Sequence, residues 1–468
     1  MLRVTVAALA VSAMAACGNV PNYVMEGPHG WLAAAVGDKS QQQQAQAQGQ
    51  PSGQAQPTDQ GQAAAEPEAP AETTSVKVAT QYLGSVAADD PQAVDIGRQM
   101  LASRGSAADA AAAMGLALTV TLPSRAGLDG GGVCLVREVG QSTVQEIDFL
   151  PPPVIGAAVQ VPGLVRGLAV LQAHDGVLRW QEAVGRAEKL AQSGIAVTQP
   201  LYADLGAIGM NGGLKIGDVL PQRSVAATLA RLRVAGSADP YTGELAERLI
   251  EAGAPRQSLA QWTPSWRPAT LAGSGAAAVY VPDGPGGRVA AQAWAALAQA
   301  RPNDPAQAFA AAHGAVHVDA GRADATTSFV VSDANGQAIG CAIGMGGLFG
   351  TGKLIPGMDV YASAPIDPKG MAPLIAVSGD GLRAVVASSG SAAAPLDGAA
   401  AAWLVLEQSR PVTTALADPR EATDTIGTRI ADRLNAISCP AGSPRAAAEC
   451  VAAFDPRGGG FALTADRF

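Results

Sequence analysis

An α+β fold is what this sequence predicts, and three stretches predict it. Residues 328–343 read as two strands joined at Asp333-Ala334-Asn335-Gly336, where Asn-Gly tolerates the positive φ of a tight hairpin. Residues 107–117 form a helix of small residues, a composition that permits close packing against neighbours. A glycine turn at 127–132 then leads into the apolar strand Val133-Cys134-Leu135-Val136.

The chain opens with MLRVTVAALAVSAMAAC, which has the form of an export signal. Arg3 supplies the positive start, and residues 4–16 are apolar but too short to span a bilayer. Met14-Ala15-Ala16-Cys17 resembles a bacterial lipobox, in which Cys17 would be lipidated after cleavage; an ordinary signal peptide cut nearby is the alternative. These features predict an exported protein, lipid-anchored on the periplasmic face of the cell envelope. No other stretch is long and apolar enough for a transmembrane helix. Residues 18–75 form a linker, and most of it is Gln, Ala, Pro and Gly with too little apolar surface to fold. The folded part starts near Val76, and residues 92–101 have helical spacing.

The 468 residues allow two or three ordinary domains or one large one. Hydrophobic residues make up 48% but aromatics only 4%, so the core must be built from small side chains. A net charge of −9 without basic clusters argues against nucleic-acid binding. Cys439 and Cys450 lie close enough in sequence to bridge in an oxidising compartment. Cys134 and Cys341 sit in apolar strand-like runs and read as buried thiols.

Several motifs agree in order with one family. Arg104-Gly105-Ser106-Ala107-Ala108-Asp109-Ala110-Ala111, Gly130-Gly131-Gly132, Val161-Pro162-Gly163, the Tyr241-Thr242-Gly243 turn, the PDGPGG turn at 282–287 and Thr326-Thr327 together resemble the γ-glutamyltransferase (γ-glutamyltranspeptidase) family. The resemblance runs from about Val76 to the C-terminus. It implies the Ntn-hydrolase αββα four-layer sandwich. It also implies a proenzyme cut between Ala325 and Thr326, so that residues 76–325 and 326–468 remain associated as a large and a small fragment. The segment before that bond, between Gly287 and Thr326, is shorter here than in the family.

The chemistry of such a cut can be stated from the residue itself. A hydroxyl needs a base beside it to act as a nucleophile. A freed α-amino group, with a pKa of about 7.7–8.0, supplies one. Thr326 is thus the expected nucleophile and Thr327 the supporting residue. Carried over by position, the resemblance puts backbone oxyanion donors at Ser391 and Ala392 and substrate contacts at Asp359 and Lys369. It also exposes departures. Ser328 stands where the family has histidine. Gly344 and Gly346 stand near its assisting threonine and substrate-holding asparagine, and Leu150 follows Asp148-Phe149 where its carboxylate-clamping arginine belongs. Losing that cation costs on the order of 2–5 kcal/mol for a charged contact.

Other signals lead nowhere. Residues 347–353 have phosphate-loop spacing, but Leu354 replaces the required Ser or Thr and Pro356 blocks the helix. His313 and His317 read as a surface loop rather than a metal pair. No G-x-S-x-G elbow occurs. The expected activity is therefore a γ-glutamyltransferase-like amide hydrolase or acyltransferase acting on a small γ-glutamyl or related amide, with no cofactor and no metal. The alternative is a catalytically degenerate exported lipoprotein that keeps the fold as a binding or scaffold protein.

Overall fold

The structure is a computed structural model that describes residues 81–318, 325–379, 381–417, 432–443 and 450–467. The export signal, Cys17, the linker and the residues just before Ala325 lie outside that set.

The strands in chain order are β1 (Gln81–Ala88), β2 (Gly131–Arg137), β3 (Gln145–Asp148), β4 (Ile195–Ala196), β5 (Val219–Leu220), β6 (Ser265–Pro268), β7 (Thr270–Ser274) and β8 (Ala278–Val281). They continue with β9 (Thr326–Asp333), β10 (Ala338–Gly344), β11 (Leu374–Ser378), β12 (Gly381–Ser389), β13 (Arg433–Ser443), β14 (Val451–Phe454) and β15 (Phe461–Arg467). One sheet runs β15-β1-β9-β10-β2-β3-β6, a second runs β14-β13-β12-β11-β8-β7, and β4 and β5 form a small ribbon. Every pairing is antiparallel.

Three apolar layers hold the sandwich together. One lies between the first sheet and the helices outside it, including Pro91–Ala102, Ala107–Thr121 and Leu164–Asp175. Another lies between the second sheet and the helices Pro285–Ala300, Pro305–Ala315 and Ala394–Leu406. The third fills the space between the sheets. The two-residue period of a strand feeds two layers at once. On β9, Val330 faces the opposite sheet, while Phe329 and Val331 face the helices. This is the four-layer αββα arrangement.

The hairpin and the small-residue helix support each other. Gly336 turns the chain at φ 83°. Asp333 and Gln337, on either side of that turn, accept hydrogen bonds from Ala107 N and Ala108 N at 3.1 and 3.0 Å. Two orphan donors of the helix start are thereby satisfied. A capping box between Ser106 and Asp109 completes that end. Within the helix a Cβ on Gly115 would sit 2.6 Å from Leu168 Cδ1, so the close approach of the next helix requires glycine there.

Two expectations need correction. Cys134 and Cys341 form a disulfide, because the β2–β10 register sets them directly opposite each other with Cα atoms 4.1 Å apart. Cys439 and Cys450 are also bonded. His313 lies in the helix Pro305–Ala315, which Asp304 caps and Gly314 does not break, and its Nε2 is 2.8 Å from Asp397 Oδ1. His317 lies beyond the end of that helix.

Candidate active site

Thr326 is the first residue of β9 and is fully buried. Its alternation with Val330 turns its side chain into the layer between the sheets. There Thr326 Oγ1 accepts the N–H of Gly390, just past the end of β12, at 2.7 Å. On β10 its register partner is Gly344. A Cβ on Gly344 would lie 2.9 Å from Thr326 Cγ2 and 2.9 Å from Met371 Cε. Glycine therefore makes room for Thr326, and it brings no hydroxyl to assist it. A Cβ on Gly346 would lie 2.5 Å from Ala364 O, so packing excludes a larger residue there too.

Thr327 donates from Oγ1 to Asp89 Oδ2 at 2.8 Å. The same carboxylate takes Ser328 N at 3.2 Å, Ser389 Oγ at 3.3 Å and Asn435 Nδ2 at 2.8 Å. Asp89 thus ties β9 of one sheet to β12 and β13 of the other. Ser328 Oγ accepts Asn435 Nδ2 at 3.0 Å, and Asn435 Oδ1 is buried without a partner.

A chain of buried charges lies beside these groups. Arg125 Nη1 donates to Thr326 O at 3.2 Å. Its Nε and Nη2 clamp Asp204 at 2.7 Å each, and Ser124 Oγ adds a bond of 2.6 Å. Burial opposes the charge on Asp204, but the Arg125 guanidinium outweighs it and holds the carboxyl below its ordinary range. Arg433 Nη2 reaches the same carboxylate only at 3.7 Å. Arg433 is 5% exposed, and its Nε and Nη1 have no hydrogen-bond partner. Burial, then the like charge of Arg125, pushes its pKa down.

The opposite flank is apolar. Leu150 packs with Val133, Ala342, Ile366 and Met371.

The other expected contacts disperse. Ser391 donates its N–H to Asp432 Oδ1 at 2.6 Å and its hydroxyl to Oδ2 at 2.9 Å, so Gly390 rather than Ser391 meets Thr326. Ala392 lies in the turn that follows. Lys369 is exposed and pairs with Asp367 at 3.4 Å. Asp359, at φ 52°, lines a small recess with Gly127, Gln222, Met345 and Tyr361, and Thr326 is not on its wall. Ala325 and Thr326 are adjacent and both buried.

Asp89, Arg125, Asp204, Gly390, Arg433 and Asn435 went unnoticed in the sequence. One signal existed. Asp89-Asp90-Pro91 opens a helix, yet a helix start uses one capping carboxylate, and Asp90 is that cap. The second aspartate, buried in an apolar stretch, had to serve something else.

The Gamma-glutamyltranspeptidase family model matches residues 93–152 and 151–297. Glutathione hydrolase 7 of Homo sapiens is 33% identical over 133 residues, covering 25% of this chain and 20% of that protein. The glutathione hydrolase proenzyme of Escherichia coli (strain K12) is 29% identical over 206 residues, covering 36% of this chain and 35% of that protein. The alignments thus span about a fifth to a third of these curated relatives. A cephalosporin acylase from Bacillus halodurans superposes with a TM-score of 0.67 at 16% identity, over 86% of this chain and 99% of its own, which shows a shared fold.

Proposed function

We propose that this chain, a divergent relative of the γ-glutamyltranspeptidase family, is an N-terminal-nucleophile hydrolase or acyltransferase acting on a γ-glutamyl or related acyl amide. One observation carries the reading: Thr326 heads a strand, points between the sheets, and has a backbone N–H against its hydroxyl oxygen. Cleavage after Ala325 would leave Thr326 with an α-amine next to its own hydroxyl. Thr326 Oγ would then attack the amide carbonyl while that amine takes the hydroxyl proton. The amine would pass the proton to the departing nitrogen, and water or a second amine would release the acyl group from its threonyl ester. The N–H of Gly390 holds the Thr326 hydroxyl oxygen in position between the sheets.

The flanks of Thr326 favour an acyl group unlike the family's usual one. The patch around Leu150 suits an apolar segment. An anionic end group would meet Arg433, whose two open N–H directions call for acceptors. Export and lipidation at Cys17 belong to the same reading, and the two disulfides support an oxidising compartment.

Intact-mass analysis of the purified protein tests the proposal. Two fragments, the smaller starting at Thr326, are expected, together with turnover of γ-glutamyl or glutaryl anilides. Thr326→Ala should stay as one chain and be inactive. A wild-type chain that remains whole and turns over no anilide would favour the binding or scaffold role.

A further inference from the structure

Far from Thr326, three ligand-bearing side chains converge at the other end of β2. Glu138 directly follows β2, and His174 and Asp175 close the helix Leu164–Asp175. One ligand atom from each lies within 4.8 Å of the other two. His174 Nδ1 is 3.2 Å from Asp175 Oδ1. Ligand atoms sharing a tetrahedral ion sit roughly 3.3 Å apart, given metal–ligand distances of about 2.0–2.2 Å. The His–Asp pair already has that spacing, and the half-buried Glu138 has only to close in.

Two observations bear on what the cluster could hold. Asp175 Oδ2 is buried and has no hydrogen-bond partner. A proton on His174 Nδ1 would serve Oδ1 and still leave Oδ2 without a donor, so an imidazolium–carboxylate pair does not account for the whole carboxylate. The Asp175 carboxylate is therefore short of the positive partner or donor that a buried oxygen calls for. Second, the His174 ring stacks on Trp266 of β6 with centroids 4.3 Å apart, which holds the plane of the imidazole beside Asp175. The negative end of the helix dipole adds to the attraction for positive charge.

We propose that Glu138, His174 and Asp175 bind one divalent ion of the zinc type, through one imidazole nitrogen and two carboxylates, with water filling the remaining positions. The ion clips the end of β2 to the C-terminus of the helix. It takes no part in the acyl chemistry, because β2 separates it by roughly 20 Å from Gly131, which lies alongside Gly344 and Thr326. The proposal is independent of the function assigned to Thr326.

The test uses the full chain stripped with chelator and titrated with zinc chloride by calorimetry, with Tm followed in parallel. One equivalent bound and a raised Tm are expected. Glu138→Gln and His174→Ala should each weaken binding by more than about tenfold. Glu138→Gln serves as the check against misfolding, since it leaves the Trp266 stack untouched and should not alter the Tm of the metal-free protein. Anomalous diffraction at the zinc edge should place the ion among the three side chains. Absence of saturable binding, binding unchanged in both variants, or an anomalous peak elsewhere would overturn the proposal.

Discussion

The N–H of Gly390 stands 2.7 Å from Thr326 Oγ1 across the gap between the two sheets. Gly390 manages this at φ 132°, with Asp432 packed so close that a Cβ would sit 2.3 Å from its Oδ1. Alanine there meets both a strained backbone and a clash. Gly390→Ala should lower anilide turnover by about a hundredfold, the scale on which a small misplacement of a reacting group costs rate. It should cost about 1–3 kcal/mol of stability. Parallel assays and denaturant melts check both figures, and turnover within twofold of wild type would remove Gly390 from the site.

Asp89 gathers donors from both sheets. Asp89→Ala would leave Thr327 Oγ1, the backbone N–H of Ser328 and one Asn435 donor buried without their acceptor. Unmet buried groups cost about 1–3 kcal/mol each, so a loss of roughly 3 kcal/mol or more is expected. The measurement is the urea midpoint at unchanged m-value.

Arg433 should show opposite effects on stability and binding. Arg125 satisfies Asp204 without it. A buried guanidinium with two unmet N–H directions carries a desolvation cost that an apolar residue of similar size does not. Arg433→Met should therefore melt at or above the wild-type temperature. If Arg433 meets an anionic acyl end, the same variant should lose its preference for glutaryl over butyryl anilide, mainly through KM. A destabilised Arg433→Met would mean the guanidinium is better paired than its contacts indicate.

Asp129 links stability to pH. Burial pushes its pKa up to about 8, against which Ser363 N donates to Oδ2 at 2.8 Å, while Oδ1 has no partner. A carboxyl raised in the folded state binds its proton there more tightly than in the unfolded chain. Its contribution is full below about pH 4 and is lost as pH rises towards about 8, at up to about 1.4 kcal/mol per unit. Asp129→Asn should flatten that fall in Tm between pH 4 and 8 while leaving slopes from other groups. An unchanged profile would show that Asp129 is not the group responsible.

The sequence by itself determined what depends on near neighbours. Alternation set both strands of the hairpin, Asn335-Gly336 set the turn, Ser106 and Asp109 set a helix start, and the 439–450 spacing allowed one disulfide. The ordered motifs led to the αββα sandwich. Only the tertiary structure decided which distant residues meet. Cys134 pairs with Cys341 over a separation of 207 residues, and Thr327 reaches Asp89 across 238. Lys369, expected at the substrate, points to solvent, while the unnoticed Arg433 lies buried beside Asp204. Periodicity reports which face of an element is buried and nothing of the partner it is buried against. That partner is fixed by strand register and by the stacking of one sheet on another, where a shift of a single residue would turn Thr326 away from Gly390.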